Sequence, residues 1–229
     1  MDATRAAARH QQKVDELCAA SIRAQCGDSA LHFRGRRLFR GSKALPVYAA
    51  HLHPSPGHDD FGSFRGAADG MALRLASSDA ALHKRLCPAD MVARMVFELL
   101  EQIRVEAMAP GSMPGLVRNL RHRHEQWSLA FHHSGLTETA KGLLLYTVAQ
   151  VCRARVTAQP VVDATEGVIE ATRMALAPVL GLDLAGLRRD RADQAAYARH
   201  ALAIAKHRRG DRTDAGLGEG IDPAIEGDR

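Results

Sequence analysis

Apolar residues recur with a helical period along most of the chain. In the first run Val14, Leu17 and Ile22 share one helical face, and Gly27 ends the run. The pattern predicts an all-α fold, a helical bundle of about six to seven helices. The predicted helices cover residues 3–26, 68–86, 89–108, 115–131, a run opening with Thr137 as N-cap, 161–180 and 184–209.

A weak alternation between residues 30 and 47 predicts a small N-terminal β-hairpin, formed by Leu31–Phe33 and Arg37–Phe39. Residues 51–63 hold prolines and glycines and are predicted to be an exposed linker. The expected organisation is therefore an N-terminal helix and hairpin (1–50), the linker (51–63), a helical domain (64–209) and a disordered tail (210–229) with five glycines and six acidic residues.

Composition supports helix packed on helix, because 46% of residues are hydrophobic and only 4% are aromatic. So few aromatic residues argue against a stacking platform for nucleic acid. The net charge is +5, and basic residues cluster near residues 34–43, 118–124 and 206–209. We interpret these clusters as solvated faces. Weak nucleic-acid binding stays an alternative to that interpretation.

Cysteine spacing and hydropathy indicate a protein of the reducing cytoplasm. Cys18, Cys26, Cys87 and Cys152 lie far apart and form no CxxC pair, which argues against a thiolate zinc site or a redox couple. No run approaches the ~18 apolar residues of a membrane-spanning helix. We expect no membrane association.

Four ordered blocks between residues 64 and 120 carry a family resemblance. They are MALRL at Met71–Leu75, DAALH at Asp79–His83, EQIRVEA at Glu101–Ala107 and MPGLVRNL at Met113–Leu120. This stretch resembles the CobT subunits of the ATP-dependent cobaltochelatase. The family also has a von Willebrand A domain that needs a DxSxS loop, and no DxSxS occurs here. The chain is expected to be the N-terminal part of CobT standing alone, or a divergent relative that kept only that part. A separately encoded von Willebrand A domain is a candidate partner.

The resemblance implies a part in inserting cobalt into a corrin ring during aerobic cobalamin synthesis. It implies two partners, a CobS-like AAA+ ATPase and a CobN-like large subunit that binds the tetrapyrrole. ATP, magnesium and cobalt would be used by the complex, with no cofactor bound by this chain. The chain would be a non-catalytic adaptor; the alternatives are an adaptor for another MoxR-type AAA+ ATPase or a metal-delivery protein.

Polar residues on apolar helical faces form the candidate site. Asp79 and His83 lie at the edge of the apolar stripe of one predicted helix, and Glu106, near Arg104, lies inside the stripe of the next. Such residues must be paired when buried. We favour an interhelical network that fixes register over a divalent metal site or proton relay. Glu98 and Glu101 are expected to point to the opposite side of their helix.

Histidines are frequent, but their spacing matches no established metal site. No GxxxxGK[ST] phosphate loop and no GxSxG nucleophile motif occurs in the chain. We therefore expect no metal site and no catalytic residue. Two groups of histidines occur in the chain: His51, His53 and His58 beside Asp59 and Asp60, and His122, His124, His132 and His133.

Overall fold

The computed structural model describes residues 2–210, with side chains described for residues 4–206. This part of the chain folds into eight α-helices and one small sheet, which confirms the predicted fold class. The helices are α1 Asp2–Cys26, α2 Phe61–Ser77, α3 Ala80–Leu86, α4 Met91–Glu106, α5 Pro114–His133, α6 Ala140–Thr157, α7 Asp163–Arg189 and α8 Gln194–Gly210. The strands are β1 Leu31–Arg34, β2 Arg37–Arg40 and β3 Lys43–Ala44, and 3-10 turns cover Ala50–Leu52 and Leu136–Glu138.

The predicted hairpin is present, and a third strand extends it. The strands are antiparallel in the order β1-β2-β3, with Leu31 opposite Arg40 and Phe39 opposite Ala44. Gly35 and Arg36 form the two-residue turn between β1 and β2, and both have positive φ. Such turns match the right-handed twist of the flanking strands. Arg36 also donates from Nη2 to the carbonyl of Pro54 at 2.9 Å, which ties the turn to the following segment.

Three predicted helix limits were wrong. The run 68–86 is two helices, because Ser78 and Asp79 adopt extended dihedrals and Asp79 starts α3 as its N-cap. The predicted break at Gly181 is absent, since α7 continues through Pro178 and Gly181 to Arg189. Continuing the helix places Leu180 and Leu187, two turns apart, in the core. The N-cap of α6 is Thr139, whereas Thr137 lies in the preceding 3-10 turn.

Three apolar clusters make up the core, and α2 contributes to two of them. The main cluster packs α4, α6, α7 and α8, with Phe97, Leu100, Cys152 and Tyr197 among its members. A second joins α1, the sheet and α2 through residues that include Ile22, Leu31, Leu52 and Met71. The third contains Leu73, Val105, Leu116 and Leu120, from α2, α4 and α5. The N-terminal segment and the helical part thus share buried surface.

The predicted linker 51–63 is only partly exposed. His51 and Leu52 are buried, whereas residues 55–58 are exposed. The tail prediction for residues 211–229 lies outside the described residues. Across residues 2–210, no helix is both long and apolar enough to cross a bilayer.

Candidate functional site

The C-terminal end of α4 is the polar centre of the molecule. Every residue from Leu100 to Glu106 is buried, because α2, α6 and α8 surround this end of α4. Four of these residues are polar or charged: Glu101, Gln102, Arg104 and Glu106. A buried charge must be paired to be tolerated, so each needs a partner from a neighbouring element.

Glu101 and Arg104 form a bidentate ion pair in this centre. Arg104 donates from Nε and from Nη2 to the two Glu101 carboxylate oxygens, both at 2.8 Å. The same guanidinium donates to the carbonyls of Ser77 at 2.8 Å and Arg191 at 3.3 Å. Ser78 completes the pair by donating to Glu101 at 2.6 Å. One arginine therefore joins the end of α2, α4 and the turn between α7 and α8.

Glu106 accepts hydrogen bonds from two buried side chains. Its Oε1 lies 2.7 Å from Nε2 of His51 and 3.0 Å from Nε2 of Gln102, which also donates to the Gly70 carbonyl at 3.0 Å. Burial by itself raises the pKa of the Glu106 carboxyl. His51, Gln102 and the charge of Arg153 outweigh burial, so the pKa lies below its ordinary value and Glu106 is ionised.

His51 is fixed by its backbone as well as by its ring. Arg123 on α5 donates from Nε to the His51 carbonyl at 2.6 Å and from Nη1 to Asp59 at 2.5 Å. The rings of His124 and Trp127 lie 6.2 Å and 5.9 Å from the His51 ring, measured between centroids. The 3-10 turn that carries His51 is therefore locked against α5.

A hydrogen-bonded chain continues from His124 across three helices. Gln150 on α6 lies 3.4 Å from Nε2 of His124 and donates to Ser128 at 2.9 Å. Ser128 bonds to the hydroxyl of Tyr146, which donates to Thr165 on α7 at 2.9 Å. Burial, then the charges of Arg153 and His51, hold the pKa of His124 well below its ordinary value. The buried imidazole of His124 is therefore neutral.

His124 should make the protein sensitive to mild acid. Because its folded pKa lies below 6.5, the unfolded chain binds the proton more readily, and stability falls as pH drops below ~6.5. The loss from this group approaches about 1.4 kcal/mol per pH unit. Urea unfolding of His124→Gln between pH 8 and ~5 should give a flatter profile than the wild type.

The matched control for this experiment is His10→Gln, at an exposed position on α1. That variant should keep the wild-type pH profile. Parallel profiles for His124→Gln and the wild type would contradict a neutral buried imidazole at this position.

A second cluster lies where α2, α3 and α4 meet. Glu98 has one carboxylate oxygen 2.7 Å from Nε2 of His83 and accepts at the other from Nη2 of Arg74 at 2.9 Å. His83 stacks on Phe97 with centroids 4.9 Å apart. Burial raises the pKa of the Glu98 carboxyl, but His83 and Arg74 outweigh it and the pKa lies below its ordinary value. The Cys87 thiol completes this cluster.

Asp69 on α2 holds three helices together. Its side chain is fully buried and accepts from Gln25 on α1 at 2.7 Å, from Arg65 at 3.1 Å and from Asn119 on α5 at 2.8 Å. Ser21 on α1 adds a longer contact at 3.4 Å. Donors on three helices therefore surround this carboxylate.

The four residues predicted as one network lie in separate settings. Asp79 is exposed and caps α3 by accepting from the backbone N–H groups of Ala81 and Leu82. His83, Arg104 and Glu106 are buried, each with a different carboxylate or histidine partner. The expectation that Glu98 and Glu101 face away from the packed side was wrong.

Sequence reasoning did not single out several buried partners as site residues. These are Asp69, Arg74, Gln102, Arg123, Gln150 and Arg153. The sequence predicted an exposed loop around His51 and grouped His124 with histidines that match no metal site. Both rings are buried. Burial also raises the pKa of the Cys18 and Cys152 thiols to about 11 and about 12, so neither is a nucleophilic thiolate at neutral pH.

Comparison with known proteins yields one family. The family model described as "Cobalamin biosynthesis protein CobT" matches residues 18–207. The match starts within α1 and ends within α8, so it includes each buried polar group described above. No solved structure matches the chain.

Proposed function

The chain belongs to the CobT family, since the match covers most of its length, and we propose that it serves as a non-catalytic adaptor subunit of ATP-dependent cobaltochelatase. Membership in this family implies a cobaltochelatase-related role in cobalamin biosynthesis. The proposal adds that the chain contacts a CobS-like AAA+ ATPase and a CobN-like large subunit. It also adds a cytoplasmic location, and a von Willebrand A domain as a candidate partner.

The family match over residues 18–207 is the observation that carries this proposal. One feature of the structure supports it. Large apolar side chains are left exposed beside one another. Met91, at 80% exposure, lines one shallow groove with Val47 and Met95, and Leu182, at 89%, lies one turn from Val179 on α7. Adjoining exposed apolar side chains are suited to contact with another subunit.

Co-purification with a CobS-like ATPase is the direct test. The full chain should bind the assembled ATPase ring in ADP, in ATP or in both, and should bind an unrelated MoxR-type ATPase more weakly. Equal binding to both ATPases would favour the alternative role with another MoxR-type partner. An absence of binding in either nucleotide state, with the ring shown to be assembled, would remove the adaptor role.

Two surface variants refine the same experiment. Met91→Glu and Leu182→Glu each place a charge on a different exposed apolar surface, at α4 and α7 respectively. Because both side chains are exposed, neither change should shift stability by more than about 0.5 kcal/mol. The variant that no longer binds the ATPase ring identifies the contacting surface, and the other variant serves as its matched control.

A further inference from the structure

Three ligand-type side chains converge at the C-terminal end of α3. His83 lies in α3 and Cys87, the C-cap residue, follows it by four residues. Glu98 faces both from α4. One donor atom of each residue lies within 4.8 Å of the donor atoms of the other two. Asp79 fixes the start of α3, and the Cys87 N–H donates to the His83 carbonyl at 2.9 Å at its end.

The surroundings hold two of these side chains in place. Phe97 stacks on the His83 ring, and Arg74 binds the outer oxygen of Glu98 at 2.9 Å. Arg74 is itself 4% exposed, and its guanidinium lies over the Tyr48 ring at 5.3 Å. Carboxylates that bind a metal ion through one oxygen often have the other oxygen held by a neighbouring residue, as Arg74 holds one oxygen of Glu98.

Protein groups alone satisfy this cluster incompletely. Nε2 of His83 lies 2.7 Å from Glu98 and 3.0 Å from Nη2 of Arg74. Nε2 either carries a proton and donates to the Glu98 carboxylate, or has a lone pair and accepts from the Arg74 guanidinium, but it cannot do both. Nδ1 of His83 and Nη1 of Arg74 are also buried without a hydrogen-bond partner among residues 4–206. A metal ion bound to Nε2 of His83 would remove the conflict at that nitrogen, and the imidazole proton would then lie on Nδ1. The unpaired Nη1 of Arg74 is a donor and is no evidence for a metal ion.

We propose that His83, Cys87 and Glu98 form a binding site for a divalent transition metal ion such as Zn²⁺ or Co²⁺. A nitrogen, sulfur and oxygen donor set suits these ions and not Mg²⁺ or Ca²⁺, which take oxygen ligands. Three protein ligands leave one tetrahedral position for water or an exchanging ligand. Glu98 lines a shallow, largely apolar groove with Met91 and Met95, which gives an ion access from solvent.

This site departs from the sequence-based expectation of no metal. Helical spacing offered Asp79 and His83 as a ligand pair, but Asp79 caps α3 and Cys87 lies one turn on the other side of His83. All three metal ligands come from this chain. The metal site can therefore be tested without a partner subunit and independently of the adaptor role.

Cobalt titration of the metal-depleted full chain tests the proposal. Co²⁺ should bind with one equivalent and produce thiolate-to-cobalt charge-transfer absorption, because Cys87 supplies the sulfur. The chain has twelve histidines, so binding alone is not evidence and the charge-transfer band is the readout. Cys87→Ser should abolish the band. Cys26→Ser, at a half-buried cysteine of α1, should keep it. Glu98→Gln should weaken Co²⁺ binding by at least about 10-fold.

A band that survives Cys87→Ser, or an absence of saturable one-equivalent binding, would overturn the site. If Cys87→Ser fails to fold, alkylation of the unmodified protein decides the question. Saturating Zn²⁺ should protect Cys87 from iodoacetamide and leave the alkylation of Cys26 unchanged. Cys87 alkylation at the same rate with and without Zn²⁺ would overturn the proposal.

Discussion

Glu106→Ala is expected to lower the free energy of unfolding by about 3 kcal/mol. The change removes the acceptor of His51 and Gln102, and neither partner can reach water, since Glu106, His51 and Gln102 are all buried. It also removes the negative charge that offsets the buried Arg153. Urea unfolding should show a lower midpoint with an unchanged slope.

Two variants make this result specific. Glu106→Gln keeps an acceptor for His51 but removes the charge, so we expect an intermediate loss. Glu125→Ala removes an exposed glutamate of α5 and should stay within about 0.5 kcal/mol of the wild type. If Glu106→Ala were as mild as Glu125→Ala while cobaltochelatase activity was lost, the carboxylate would be functional and not structural.

Gly66→Ala is expected to destabilise the protein by more than about 2 kcal/mol. A Cβ at position 66 would lie 2.2 Å from the backbone carbonyl oxygen of Asn119 and 2.7 Å from Cβ of Arg123. Neither atom can rotate away, so α2 and α5 would have to separate. Separation would also strain the Asp69–Asn119 and Arg123–His51 hydrogen bonds that cross between elements here.

Gly167→Ala is the matched control because Gly167 is also helical. Beyond the neighbouring backbone of its own helix, no atom of the described residues lies within 4 Å of the position that a Cβ would take there. At this position the substitution should raise stability by about 0.5–1 kcal/mol through helix propensity. Thermal unfolding of both variants measures the contrast. Equal stabilisation by the two changes would mean that α2 and α5 do not approach closely at Gly66.

The helices could be predicted from the sequence because apolar periodicity is a local property. The hairpin was equally accessible, since Gly35 marks its turn. The split at Asp79 was not predicted because Leu75 and Leu82 are spaced as on one continuous helix. The helix breaks there because the Asp79 side chain accepts hydrogen bonds from the N–H groups of Ala81 and Leu82 and so starts a new helix. The break predicted at Gly181 does not occur, because burial of Leu180 and Leu187 outweighs the low helix propensity of glycine.

The polar centre could be predicted only in part. Glu106 was recognisable as an acid within an apolar stripe. Its partner His51 lies 55 residues away along the chain, in a segment whose composition predicts an exposed loop. Glu101 was assigned to the wrong side because this end of α4 is enclosed all round, and a periodic pattern distinguishes faces only when one of them is exposed.

The Asp69 carboxylate also shows that the fold depends on contacts made by α1. Two of its donors, Ser21 and Gln25, belong to α1, and that helix places Val14 and Ile22 against the apolar face of α2. An excised version that began at α2 would leave Asp69 with Arg65 and Asn119 alone and would open that face to water. The part of α1 from Val14 to Gln25 therefore belongs to the packed structure, and we expect a chain that begins at α2 to be less stable.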